Sequence, residues 1–429
     1  MEKIEWENGL RILLLPEEDA LSASVDIWVE VGSLYEAPAR QGISHFAEHM
    51  LFKGTATRTA RQISEEIDAL GGNLNAYTTR QYTRYYAQVL AVNPHPAEPG
   101  RVLDILLDML LHSRFDPEDL ELERGVILEE MAMYEDIGED LAHEALCAAV
   151  WPDSPFGWPV CGRPETVKAV TADALRDYVA QAYTPERMLV VLAGHFDREA
   201  LLGKLAETLG KRPRGLGCPR TAVPGFSPGI ALRRKRLEQV SLELGFPGLS
   251  FDDERRYAMM LLNFIVGGGA SSRLFLRLRE EQGLVYTVYS THEAARGTGL
   301  FTISASVAPA NQIKALREIR QLLDGLCGQT AVTSAELERA RAQIKASLIL
   351  GMETVVSRAY YAGQNELYAG RDIPVRETFD RLDDVTLEQV QALASAMFQG
   401  EWAFAAAGPV RPAKDVRTAL NPAASSAIR

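Results

Sequence analysis

Short apolar runs and alternations open the chain and predict strands ahead of any helix. Leu10-Arg-Ile-Leu-Leu-Leu15 is nearly continuous, and from Ser22 to Val31 the residues Val25, Ile27, Val29 and Val31 alternate with more polar partners. Helical signals follow. Thr59-x-x-Gln62 has the form of a capping box, and Gly71-Gly72 marks the end of that helix, because a left-handed C-terminal residue is easiest for glycine. Asn73 to Thr79 and Thr83 to Val92, rich in Tyr, Thr and Val, predict a pair of strands. Pro117 marks the first turn of a long helix running past Tyr134. The charges between Val332 and Leu350 predict a helix with a solvated face.

The pattern recurs. Val170-Thr-Ala-Asp-Ala-Leu175 opens a helix that leads to the strand Leu189 to Gly194. About 215 residues further on, Val385-Thr-Leu-Glu-Gln-Val390 opens one that leads to the strand Trp402 to Gly408. Between the halves, Arg212 to Gly229 concentrates Pro and Gly in the manner of a linker. A duplicated α+β domain is therefore expected, with residues 1–215 as the first copy and 216–429 as the second.

Composition narrows the partners. With 429 residues the chain is too long for one small core, and 45 Lys+Arg against 58 Asp+Glu give a net charge of −13. Nucleic acid and anionic membranes both need clustered Lys and Arg, so neither is expected. The start, Met1-Glu-Lys-Ile-Glu-Trp, lacks a basic region followed by an apolar run, and no stretch approaches the ~20 apolar residues of a membrane span. Cys147, Cys161, Cys218 and Cys327 include no C-x-x-C pair, which argues against a disulfide framework or a sulfur-ligated metal. A cytoplasmic protein is the expectation.

The chemistry concentrates in His45-Phe-Ala-Glu48-His49. On a helix, residues four apart share a face, so His45 and His49 are spaced to hold one metal ion. Glu48 lies near that face and can take a proton from a metal-bound water without being a ligand. The order is the inverse of the H-E-x-x-H zinc-protease helix. Two histidines at this spacing also arise by chance, so a third ligand is the next requirement. Glu121-Leu-Glu123-Arg-Gly-Val-Ile-Leu-Glu129-Glu130 supplies carboxylates, with Glu123 and Glu130 two turns apart on one face and Glu129 about 100° away. The glycines of Gly267-Gly-Gly-Ala-Ser-Ser-Arg273 are followed by no Gly-Lys-Ser/Thr, which argues against a nucleotide loop. His95, His112, His143, His195 and His292 read as isolated surface or core histidines.

Together with Met50-Leu-Phe-Lys-Gly-Thr55 and Gly72-Asn-Leu-Asn-Ala-Tyr-Thr78, these stretches resemble the inverted-zincin peptidases, the family of pitrilysin, insulysin and the mitochondrial processing peptidase. The likeness covers nearly the whole chain and is closest in length to the short bacterial type and the processing-peptidase beta subunit. It implies that His45, His49 and Glu130 ligate one zinc, that Glu48 is the general base and that Glu123 supports the site as a second carboxylate. The distance from His49 is longer than the family's usual spacing. An insertion in Asn93 to Gly100 accounts for that, and it leaves Glu129 beside Glu130 as an alternative third ligand. The resemblance also implies that Asn75 and Ala76 bind the substrate backbone on a strand edge, and that Arg279 and Tyr286 reach substrate near the scissile carbonyl. Each domain is then a mainly antiparallel sheet packed with helices. The second copy, which places Met260, Asn263 and Phe264 opposite His45, Glu48 and His49, has lost the ligands. Two chains form a clamshell chamber, which makes a homodimeric zinc endopeptidase acting on unfolded peptides the implied function. A non-catalytic scaffold subunit, or an active subunit needing a distinct partner, are the rival readings.

Overall fold

The computed structural model describes residues 1–91, 98–217 and 222–421. Val92, Asn93 and His95, and with them most of the expected insertion, lie outside the described residues, as does Cys218 in the linker region. No helix among the described residues is long and apolar enough to cross a membrane. The chain forms two units, each drawn from more than one stretch. The first comprises Met1–Met131, Trp158–Ala222 and Leu350–Asp372, and the second comprises Ala132–Gly157, Val223–Ile349 and Ile373–Arg429.

The first unit is built on a six-stranded sheet. Its strands are β1 (Glu2–Glu5), β2 (Arg11–Pro16), β3 (Ser22–Val29), β4 (Asn73–Thr78), β5 (Thr83–Leu90) and β6 (Met188–Gly194). They lie in the order β1-β2-β6-β3-β5-β4, antiparallel except for the β2–β6 pair. Both faces of its central strands are covered, which is why β2 and β6 read as apolar runs without alternation. On one face Ile12, Leu14, Val25 and Ile27 join a core with residues of α1 (Ile43–Leu51), α2 (Ala60–Ala69) and α3 (Glu98–His112). On the other, Leu13, Trp28, Leu189 and Val191 pack under Ala359 and Ala362 of the helix Val355–Ala369. That helix approaches closely because Gly363 has no side chain: a Cβ there would fall 2.6 Å from the Trp28 ring.

The expected capping box opens α2, with the Thr59 hydroxyl accepting from the Gln62 N–H and Gln62 Oε1 accepting from the Thr59 N–H. Gly71, at φ +61, follows the helix in the left-handed region. The helix begun by Pro117 is α4 (Pro117–Asp136), and α5 (Gly138–Val150) follows it.

The second unit carries a five-stranded sheet of β7 (Ile230–Arg234), β8 (Val240–Pro247), β9 (Val285–Ala295), β10 (Thr298–Val307) and β11 (Ala403–Gly408), in the order β7-β11-β8-β10-β9. Its one parallel pair is β7–β11. This matches β2-β6-β3-β5-β4 strand for strand, parallel pair included, so the fold is a duplicated α+β domain. The sequence repeat sits at equivalent places. Thr171 caps the helix Ala172–Ala182 ahead of β6, and Thr386 caps Leu387–Phe398 ahead of β11. Here α5 covers the second face of the sheet, bringing Leu146 against Gly245, as the helix Val355–Ala369 does in the first unit. The helix Ser334–Leu350 is largely exposed, consistent with a solvated face.

Candidate metal centre

Helix α1 buries Ile43, Phe46, Ala47, Met50 and Leu51 in the core of the first unit, and this fixes its rotation. His45, Glu48 and His49 are left on the opposite side, with the two imidazole rings 4.6 Å apart. From α4, Glu130 places Oε2 3.7 Å from His45 Nε2 and 3.6 Å from His49 Nε2. These three side chains can each offer a ligand atom within 4.8 Å of the others, the one such group of three among the described residues. Glu129 is exposed on another face of α4.

Three ligands at about 2.0–2.2 Å from a tetrahedral zinc stand roughly 3.3–3.5 Å from one another. The observed separations are slightly wider and too long for hydrogen bonds, so the residues present fit a divalent ion. The protonation of His45 fits as well. Burial, followed by the nearby His49, pulls the His45 imidazole down to about 4, which keeps it neutral as a ligand must be. Among the described residues, His45 Nδ1 is buried without a hydrogen-bond partner. Burial also disfavours charge on His49, but the Glu130 carboxylate beside it and the hydrogen bond to Glu123 outweigh that and raise its pKa.

Glu123 supports His49 from behind. Its Oε2 lies 3.0 Å from His49 Nδ1, which commits Nδ1–H to the carboxylate and leaves Nε2 for a metal, and its Oε1 lies 2.5 Å from Lys53 Nζ. Glu48 is buried, and Thr78 Oγ1 donates to its Oε2 at 2.5 Å. Burial raises the Glu48 pKa, while the Thr78 bond pulls the other way.

Thr78 belongs to β4, the edge of the sheet, so the same strand touches the buried carboxylate and presents an edge that no other strand pairs among the described residues. Asn75 is exposed there, and its Oδ1 accepts from the Ala76 N–H at 2.8 Å. That N–H is therefore turned away from β5. In the second unit, Arg279 lies in a π-helical turn, Phe275–Glu281, with its guanidinium over the rings of Phe275 and Tyr286 at 5.1 and 5.5 Å. Tyr286 is 70% exposed. Asn263, opposite Glu48 in the repeat, accepts from Ser290 Oγ.

The comparisons with known proteins decide the family. Residues 11–163 match the family described as Insulinase (Peptidase family M16), and residues 169–344 match the Peptidase M16 inactive domain. The uncharacterized zinc protease YmxG of Bacillus subtilis is 38% identical over 94% of this chain and 97% of its own length. The chain belongs to peptidase family M16. A further relative, an uncharacterized zinc protease of Mycobacterium leprae, is 37% identical over 96% of this chain and 93% of its own. Two solved structures share the fold. A peptidase M16 inactive domain from Pseudomonas fluorescens has a TM-score of 0.87 at 19% identity, covering 96% of this chain and 98% of its own. A protease from Helicobacter pylori has 0.85 at 20% identity, covering 95% and 99%. The relatives named zinc proteases support a peptidase role and zinc as the metal.

Several residues at the centre carry no role in the sequence reading. Thr78 and Lys53 lie inside the quoted motifs, and the edge-strand register would have flagged Thr78. Glu36 carries no local signal, because it lies in a loop ahead of α1. His143, read as isolated, belongs to the second unit, where it sits 3.2 Å from Glu243 Oε2 and 3.4 Å from Cys147 Sγ.

Proposed function

We propose that this chain is a zinc-dependent endopeptidase that hydrolyses short unfolded peptides inside a chamber formed by two copies. The observation that carries the reading is the convergence of His45, His49 and Glu130 beside a buried Glu48 that hydrogen-bonds the edge strand β4. His45, His49 and Glu130 would hold one zinc ion, which supplies Lewis acidity to polarise a carbonyl and acidify water. An extended peptide adds to the open edge of β4, where the Ala76 N–H exchanges the Asn75 oxygen for a substrate carbonyl. Main-chain recognition of this kind takes peptides with little regard for side chains. Glu48 accepts a proton from the attacking water and later delivers it to the leaving amine, and its raised pKa suits both roles. Glu123 keeps His49 in one tautomer and orientation.

Arg279 and Tyr286 supply donors to the substrate near the scissile carbonyl, where negative charge develops. In a homodimer they serve the partner's centre. Purified protein assayed with a quenched peptide should lose activity on chelation and regain it with zinc, and activity insensitive to chelator rejects the mechanism. Inactivity of the chain alone, restored by a different partner, would replace the homodimer with a heterodimer. Mixing Glu48→Gln and Arg279→Ala chains should recover activity through mixed dimers. Subunit exchange without recovery sinks the trans arrangement.

A further inference from the structure

The geometry points to Glu36 as a positioning residue that fixes the first turn of α1 and thereby sets how tightly the centre holds its metal. The inference rests on the metal-centre reading above and concerns a residue that neither ligates nor touches substrate.

Helix α1 starts without a local cap. Its N-cap residue is Gly42, which has no side chain to accept a hydrogen bond and sits at φ +87. A Cβ there would fall 2.3 Å from the Cys161 carbonyl oxygen, so a serine or aspartate cannot replace it. The first N–H groups of a helix need partners, and from Gly42 to Phe46 every residue is buried, so water is a poor substitute. Glu36 fills the gap from six residues away. Its Oε2 accepts from the Gly42 N–H at 2.7 Å and its Oε1 from the Ser44 N–H at 2.8 Å. The carboxylate is itself 7% exposed, and both oxygens are engaged at the positive end of the helix.

The Glu36 loop is also anchored. Just before it, the Ser33 and Leu34 N–H groups donate to the carbonyls of Thr79 and Arg80, in the turn that follows β4. One buried side chain thus ties the turn beside the edge strand to the start of the metal helix.

His45 is the third residue of α1, inside the turn that Glu36 holds. His49 lies a full turn later, held by intrahelical bonds and by Glu123. Loosening the first turn therefore displaces His45 before anything else, and a metal must then order that turn in order to bind. Glu36→Gln offers one oxygen in place of two and turns an NH2 donor towards a backbone donor.

Zinc affinity, measured by competition with a chelator of known strength, is expected to weaken roughly tenfold in Glu36→Gln, the loss of about one charge-assisted hydrogen bond. Thermal unfolding of the metal-free protein provides the comparison. A cap with a purely structural role lowers the metal-free midpoint and leaves zinc affinity within twofold of wild type, and that result overturns the inference. Should Glu36→Gln not fold, Glu36→Asp keeps the charge on a shorter arm and must weaken zinc binding several-fold, and unchanged affinity there is equally fatal. A wild type that binds no stoichiometric zinc removes the metal-centre reading and this inference with it. A wild type that binds, beside a variant that binds equally well, removes the role of Glu36 alone.

Discussion

Glu48 and Glu123 are both buried carboxylates within reach of the histidines, yet their partners give them different work. Glu48 bonds a single hydroxyl on the edge strand β4, whereas Glu123 is held by both His49 and Lys53. Glu48→Gln is therefore expected to retain zinc while kcat falls by roughly a hundredfold to ten-thousandfold. Glu123→Gln is expected to loosen zinc by roughly ten- to a hundredfold, as removal of a ligand's supporting carboxylate generally does. Metal analysis beside turnover separates the two, and loss of zinc from Glu48→Gln would contradict the assignment. Asp108 offers a test of pH dependence away from the centre. Burial opposes its charge, but Thr55, Thr57, Arg58 and His112 outweigh that and hold its carboxyl at about 2, below the ordinary 3.8. A depressed acid stabilises the fold above the ordinary value, by roughly 2 kcal/mol, and that contribution disappears as pH falls from about 4 through about 2. Metal-free wild type should unfold at a higher temperature than Asp108→Asn at neutral pH, and the gap should close across that range. A gap that widens towards low pH would contradict the sign.

Among elements, what was legible in the sequence is what a local period records. The spacing His45, Glu48, His49 states its own geometry on a helix, and Glu123 and Glu130 do the same on α4. Thr59 and Gln62 announce the start of α2. What was not legible depends on which elements meet. No period in the chain says that a carboxylate at position 36 caps a helix beginning at position 43, or that Gly363 faces Trp28. The edge strand β4 shows both kinds at once: its residues read as a strand, but that Ala76 turns its N–H outward follows from its register with β5. Ala76→Pro removes that donor without removing a bond to β5, so KM for peptides should rise about tenfold with the fold intact, the weight of one hydrogen bond. An unchanged KM would place the substrate elsewhere. The contact of Gly363 with Trp28 carries an opposite expectation. Gly363→Ala brings a methyl to 2.6 Å from a fully buried ring and should destabilise the first unit by about 1–3 kcal/mol, read as a lower thermal midpoint, even though alanine is the better helix former.

At the scale of the molecule, the duplication and the division into units follow different boundaries. The repeat divides the sequence near residue 215, yet the first unit takes in Leu350–Asp372 from the later half and the second takes in Ala132–Gly157 from the earlier one. Each sheet has one face covered by a helix encoded in the other repeat. The consequence for the first unit is specific: residues 1–215 alone lack the helix Val355–Ala369, so Trp28, Leu13, Leu189 and Val191 lose Ala359 and Ala362 as their cover. The same truncation removes Glu366, which pairs with Lys3 at 2.7 Å, and Arg358, which pairs with Glu17. An uncovered sheet face of large apolar residues binds hydrophobic dyes and aggregates. Residues 1–215 expressed alone should therefore be insoluble or bind such a dye strongly, with Trp28 fluorescence shifted to the red. Co-expression of 1–215 with 216–429 should restore a soluble complex with a single cooperative unfolding transition. A soluble, cooperatively folding 1–215 fragment that binds zinc by itself would show that the helix Val355–Ala369 is dispensable to the unit it covers.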